Sequence, residues 1–246
     1  MLTKNDKDFW KSVKARGKGK QSLPLSVGGC NGPKDICEMW KRHYENLLNS
    51  VKNEMHKRSV ESEIAKTKYD DLMLCTPEES VKLIKELPLG KSCGPDNLCA
   101  EHLVYCDGRL PILLSLLFSS MFIHGFIPNM LMTTTIVPLV KDQNEDLSDT
   151  NNYRPIALGN IIAKLLEKII YTRISDFLVT TDNQFGYKKR HSTDLCIYTL
   201  KETINLYQER GSNVFVCFLD ASKAFDRVAH WPLFKKLCDR GVPNLG

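Results

Sequence analysis

Asp220 is the residue best placed for chemistry in this chain. It follows six apolar residues, Val214 to Leu219, whose unbroken run predicts a fully buried strand. Beyond it the period changes, and Ala221, Lys223, Ala224, Phe225 and Val228 predict a short helix. A lone carboxylate where a buried strand ends is where α/β proteins place ligands and catalysis. Such an Asp can hold a hard divalent cation against a phosphate. It can equally cap the following helix, for which Asp is a favoured residue. Two cations lie upstream, Lys141 and Arg154, flanking a polar stretch. Lys188, Lys189, Arg190 and His191 form a basic turn, fit either for a nucleic-acid backbone or for plain solvation. Cys93, Cys99, His102 and Cys106 cluster, but their spacing matches no standard zinc pattern.

The elements around these residues follow from periodicity and punctuation. A helix runs from Pro33 or Asp35 to about Asn49, with Ile36, Met39, Trp40, Tyr44, Leu47 and Leu48 at helical spacing. Residues 50–75 are polar and poorly patterned. Thr76-Pro77-Glu78-Glu79 forms a capping box with proline at the first helical position, opening a helix that ends at Leu87. The loop PLGKSCGPDN leads to a short helix near Leu98–Tyr105. A helix from Pro111 to Gly125 is apolar on most sides and reads as buried. Thr133 to Val140 and Tyr153 to Leu158 read as two strands around the polar loop 141–152. Asn160 caps a helix carrying Ile161, Leu165, Ile169, Arg173 and Ile174 on neighbouring turns. Ser192 caps a long helix ending at Gly211. Mostly helical sequence interrupted by a two-stranded ribbon indicates an α+β fold rather than a regular βαβ alternation.

Composition narrows the class. With 42% hydrophobic and 26% charged residues, the chain can bury a sizeable core. The net charge is +5, and residues 1–20 hold seven lysines and arginines against two aspartates. That basic arm suits an acidic partner such as nucleic acid, or a solvated tail. The longest apolar stretch, Ile112 to Ile123, carries three serines and is too short for a bilayer, so no membrane partner is expected. The nine cysteines form no CxxC pair, and no secretory leader is visible. Free thiols in a reducing, intracellular setting, cytoplasmic or nuclear, are therefore expected.

Blocks in a fixed order resemble the reverse transcriptases of non-LTR (LINE-type) retrotransposons. They are KSCGPDNLCAEHL from Lys91; IVPLVKDQNEDLSDTNNYRPIAL with KLLEKIIYTRI; DNQFGYKKRHSTDL from Asp182; and FLDASKAFDRV from Phe218. The resemblance implies an RNA-directed DNA polymerase acting on an RNA template, a DNA primer and deoxynucleoside triphosphates, with Mg²⁺ or Mn²⁺. In its terms, residues 1–34 are a basic arm and linker, 35–90 a helical connector, 91–212 the fingers, and 213–246 the first strand and helix of a truncated palm. Asp220 and the Leu219 carbonyl would be metal ligands. Lys141 and Arg154 would grip the triphosphate, with Ala221 and Phe225 completing the nucleotide site. Phe225 stands where the family places an aromatic under the sugar, excluding a 2′-hydroxyl; simple core packing of that ring stays open. Lys188, Lys189, Arg190 and His191 would track the template. The third block departs from the family pattern at Lys188, Arg190 and His191, and Asn97 replaces a glycine.

Two metal ions need bridging carboxylates that one aspartate cannot supply. After Asp220 the acids are Asp226 and Asp239, and the chain contains no Tyr-x-Asp-Asp run. Tyr69-Asp70-Asp71 lies upstream in a polar segment. The 246 residues are therefore expected to be inactive alone. The alternatives are a non-catalytic nucleic-acid-binding remnant and a decayed element-derived reading frame.

Overall fold

The computed structural model describes residues 26–50, 54, 56–66 and 74–243. Residues 1–25, the basic arm and the first part of the linker, and the Tyr69-Asp70-Asp71 run lie outside the described residues. The chain divides into two compact units. One joins Val137–Ile156 to the chain up to Asn46; the other comprises Leu47–Ile136 and Ala157–Gly246.

In the first unit, β1 (Ser26–Val27) and β2 (Cys30–Asn31) pair antiparallel, with Ser26 opposite Asn31. The helix α1 (Pro33–Leu48) follows within a residue or two of its expected bounds. Its Trp40 stacks on Tyr44 at 5.2 Å and meets Tyr153 edge-on at 4.9 Å. These aromatics supply the area that a small core otherwise lacks.

The second unit carries the larger core. Its helices are α2 (Lys57–Lys66), α3 (Pro77–Lys85), α4 (Ala100–Val104), α5 (Leu110–His124) and α6 (Asn129–Met132), followed by α7 (Ile161–Ile174), α8 (Thr193–Glu209) and α9 (His230–Asp239). Leu83 and Ile84 of α3, Leu114 and Phe118 of α5, and Leu165 and Ile169 of α7 interlock. The N-caps form at the expected residues: Thr76 Oγ1 accepts from Glu79 N–H at 3.1 Å, Asn160 Oδ1 from Ile162 N–H at 2.9 Å, and Ser192 Oγ from Leu195 N–H at 3.2 Å. At Thr76 only this half of the expected capping box forms, because the Glu79 carboxylate pairs with Arg173 instead. Gly125 ends α5 in the left-handed conformation, φ 56°.

The ribbon itself is β3 (Thr134–Val140) and β4 (Tyr153–Gly159), a two-stranded sheet on either side of the predicted polar loop. Helices with two small sheets make an α+β structure, as the order of elements indicates.

Residues 50–75, polar and poorly patterned though they are, hold the helix α2. Its Val60 is fully buried, and Lys235 of α9 ties the two helices by a contact of 2.7 Å to Glu63, while also meeting Asp239 of its own helix at 2.7 Å. One buried contact row sufficed, too sparse for a periodicity to show. Three expectations need correction. Helix α5 is buried on one face only. Leu114, Phe118, Met121 and Phe122 are enclosed, whereas Ile112, Leu113 and Leu116 are at least half exposed. Val214–Leu219 forms no strand: no ladder includes it, and Phe215 and Leu219 are more than nine-tenths exposed. A central strand is defined by hydrogen-bonded neighbours, and the described residues bring none to this segment. The turn-rich stretch 222–227 likewise replaces the predicted short helix.

Arg173 shows why a cation sits among the apolar residues of α7. Its guanidinium donates to Glu79 Oε2 at 3.0 Å and to the Leu74 carbonyl at 3.2 Å, and lies 5.1 Å over the Phe122 ring. The Glu79 carboxylate thus faces α7. We expect Arg173→Met to lower stability by about 2 kcal/mol, since it leaves a partly enclosed carboxylate without its donor. Urea denaturation of both proteins checks this, with Glu79→Gln/Arg173→Met recovering part of the loss.

Candidate active site

The first block lines a cleft within the second unit. Lys91, Ser92 and Gly94 form one wall, and Lys164, Lys168 and Tyr171 of α7 the other, around about 400 Å³. Lys168 also reaches Glu86 at 3.5 Å. Cys93 and Cys99 are joined as a disulfide, Cα–Cα 4.7 Å, which corrects the expectation of free thiols throughout. Sequence spacing gives two cysteines six apart no preference for bonding; the intervening turn brings them together, with Asn97 left-handed at φ 59°. Cys37, Cys106, Cys196 and Cys217 are exposed, whereas Cys75 is buried. Burial pushes the Cys75 thiol up, opposed by the Arg173 charge. His102 accepts the Cys99 N–H through Nδ1 at 3.0 Å, a capping role. Among the described residues no group of three or more His, Cys, Asp or Glu could hold a metal ion.

The Gly90 N–H donates to the Glu101 carboxylate and holds it below the usual carboxylate range. A lowered folded value means that this contact stabilises the loop above the unfolded value of about 4.3, and its contribution is lost as pH falls through the folded one. An NMR titration should show the Glu101 carboxyl and the Gly90 amide moving together, at a pH below that midpoint.

Lys141 and Arg154 stand at the two ends of the hairpin loop in the first unit. Asn152, buried there, sets its shape: its side-chain amide donates to the Asp142 carbonyl at 2.8 Å and its Oδ1 accepts the Asp142 N–H at 3.1 Å. Tyr153 donates its hydroxyl to the Leu147 carbonyl at 2.7 Å. Lys141 Nζ turns back to the Asn151 carbonyl at 2.6 Å, while Arg154 is exposed on β4. Asn152 went unremarked in the sequence, where an asparagine in a polar loop looks like its neighbours.

The other candidates belong to the second unit. Lys188 Nζ donates to the Thr181 carbonyl at 3.0 Å and meets Asp182 at 3.3 Å, closing the basic turn on itself. Lys189 and Arg190 are exposed, and His191 packs its ring 5.8 Å from Phe185. Asp220, Ala221 and Phe225 are exposed, as is Leu219. The basic turn and the segment after Asp220 do come together: Tyr187 and Phe225 meet edge to face, ring centroids 5.8 Å apart. Asp220 and the Leu219 carbonyl offer two oxygen donors, and a hard cation takes six or more. The described residues therefore do not build a two-metal centre around Asp220.

Comparison with known proteins points to the same family as the resemblance. Residues 140–245 match the family described as reverse transcriptase (RNA-dependent DNA polymerase). The chain is 32% identical over 164 residues to the probable RNA-directed DNA polymerase from transposon BS of Drosophila melanogaster, covering 65% of this chain and 18% of that protein. It is 27% identical over 245 residues to the RNA-directed DNA polymerase from mobile element jockey of Drosophila funebris, covering 96% and 26%. It is 25% identical over 230 residues to the Pol polyprotein from the type-1 retrotransposable element R1 of Bradysia coprophila, covering 85% and 22%. The chain thus spans about a quarter or less of the length of these relatives.

Proposed function

We propose that this chain, whose residues 140–245 match the reverse transcriptase family and whose relatives are polymerases of non-LTR retrotransposons, contributes the fingers and the opening of the palm to an RNA-directed DNA polymerase. Residues 1–34 act as a basic arm and linker, 35–90 as a connector, 91–212 as fingers and 213–246 as the start of the palm. The observation that carries this reading is the contact between the third and fourth blocks. Tyr187 and Phe225 bring the basic turn beside the segment that bears Asp220.

In this reading Lys188, Lys189, Arg190 and His191 lie along the template backbone. Lys141 and Arg154 take the triphosphate, and Phe225 and Ala221 border the sugar. Asp220 and the Leu219 carbonyl contribute two donors toward Mg²⁺ or Mn²⁺. The RNA template, DNA primer and deoxynucleotides are found inside the cell, in cytoplasm or nucleus. No helix of the described residues is long and apolar enough to cross a membrane.

Primer extension and band-shift assays on the purified 246-residue chain test the proposal together. An RNA template annealed to a DNA primer should bind, with affinity falling steeply as salt rises. Extension with Mg²⁺ or Mn²⁺ should be absent, because these residues offer one carboxylate where in-line phosphoryl transfer needs a cluster. Template-dependent synthesis would overturn the inactivity, and absence of binding at low salt would overturn the nucleic-acid role.

A further inference from the structure

Among the described residues, four non-glycine positions adopt the left-handed conformation: Asn97, Tyr187, Arg190 and Lys223. Asparagine tolerates it. Tyrosine, arginine and lysine do so at a cost that a free loop would relax. These three lie in two segments, 182–191 and 220–226, and the two segments meet at Tyr187 and Phe225. The rings stand at 71° with centroids 5.8 Å apart, the edge-to-face geometry that the aromatic quadrupole favours. Tyr187 is 91% exposed and Phe225 75%, so enclosure in a core does not hold either ring.

The turn that presents Tyr187 is built. Gln184 Nε2 donates to the Gly186 carbonyl at 3.0 Å, the His191 N–H to the Lys188 carbonyl at 3.3 Å, and Lys188 Nζ to the Thr181 carbonyl at 3.0 Å. On the other side, the Asp226 N–H donates to the Lys223 carbonyl at 3.1 Å and closes the turn that carries Phe225. Two tight turns with unfavourable backbone angles thus aim one ring at another in open solvent.

We propose that Tyr187 is a positioning residue for sugar discrimination: its ring holds Phe225 in the orientation in which that ring meets the sugar of an incoming nucleotide. This rests on the role given to Phe225 above. Tyr187 acts through Phe225 and does not itself touch the nucleotide. Its hydroxyl is dispensable, because the contact is ring to ring.

The test uses the whole 246-residue chain with ¹³C-labelled aromatic residues. Tyr187→Ala should remove the ring-current displacement of the Phe225 signals, and Tyr187→Phe should keep it. Titration with dATP and with ATP, each with Mg²⁺, then reads the preference for the deoxy sugar. Phe225→Ala should abolish the preference. Tyr187→Ala should reduce it about three- to tenfold, the range expected for one edge-to-face pair, and Tyr187→Phe should retain it. Unchanged Phe225 signals in Tyr187→Ala would overturn the proposal. So would a wild-type preference in Tyr187→Ala when Phe225→Ala has lost it. A wild-type preference in Phe225→Ala would instead overturn the reading of Phe225, and the role of Tyr187 with it.

Discussion

Phe118→Ala should lose about 3–5 kcal/mol of stability, the range for truncating an enclosed aromatic. Phe118 is 1% exposed and lies where α3, α5 and α7 meet, against a core that includes Leu83, Leu114 and Leu165. Removing the ring leaves a cavity whose walls belong to several helices, so collapse cannot refill it without moving elements that other contacts fix. Phe118→Leu should cost far less, because most of the volume is kept. Urea denaturation followed by circular dichroism checks both, with an unchanged slope expected. A loss below about 1 kcal/mol for Phe118→Ala would mean that the site repacks freely.

Gly94→Ala should cost about 3 kcal/mol, at the upper end of the overpacking range. A methyl group at Gly94 would stand 2.8 Å from the Gly159 carbonyl oxygen and 3.0 Å from both Asn160 Cα and Asn160 N. All three are backbone atoms, so no side chain can swing away. The strand end β4 and the start of α7 would have to shift, and Asn160 caps that helix. Gly108→Ala is the control: nothing lies within 4 Å of its added methyl, and it should be near neutral. Thermal denaturation of the two variants separates these outcomes. The glycine of the Lys91–Leu103 block is thus required for close approach of two backbone segments, whatever else the block does.

Much of the fold was legible because its signals are local. Caps at Thr76, Asn160 and Ser192 and the stop at Gly125 depend on residues within a few positions of one another. The paired strands around loop 141–152 are likewise a short-range feature. What was not legible depended on distant partners. Val214–Leu219 has the composition of a buried strand, yet no neighbouring strand meets it among the described residues. Arg173 looked like an interruption of an apolar row until Glu79, 94 positions away, supplied its partner.

The candidate site divides in the same way. The sequence alone carried the likeness to reverse transcriptases, because ordered blocks of particular residue types survive as text. It also determined the identity of the candidate residues, from Lys141 to Phe225. Only the tertiary structure decided that Lys188 closes its own turn, that Cys93 bonds Cys99, and that Tyr187 reaches Phe225. The physical reason is that residue type and spacing fix what a side chain can do. Which partner it meets depends on how the packed elements direct its backbone, and Gly94 and Tyr187 show that this can turn on a single contact or a single dihedral angle.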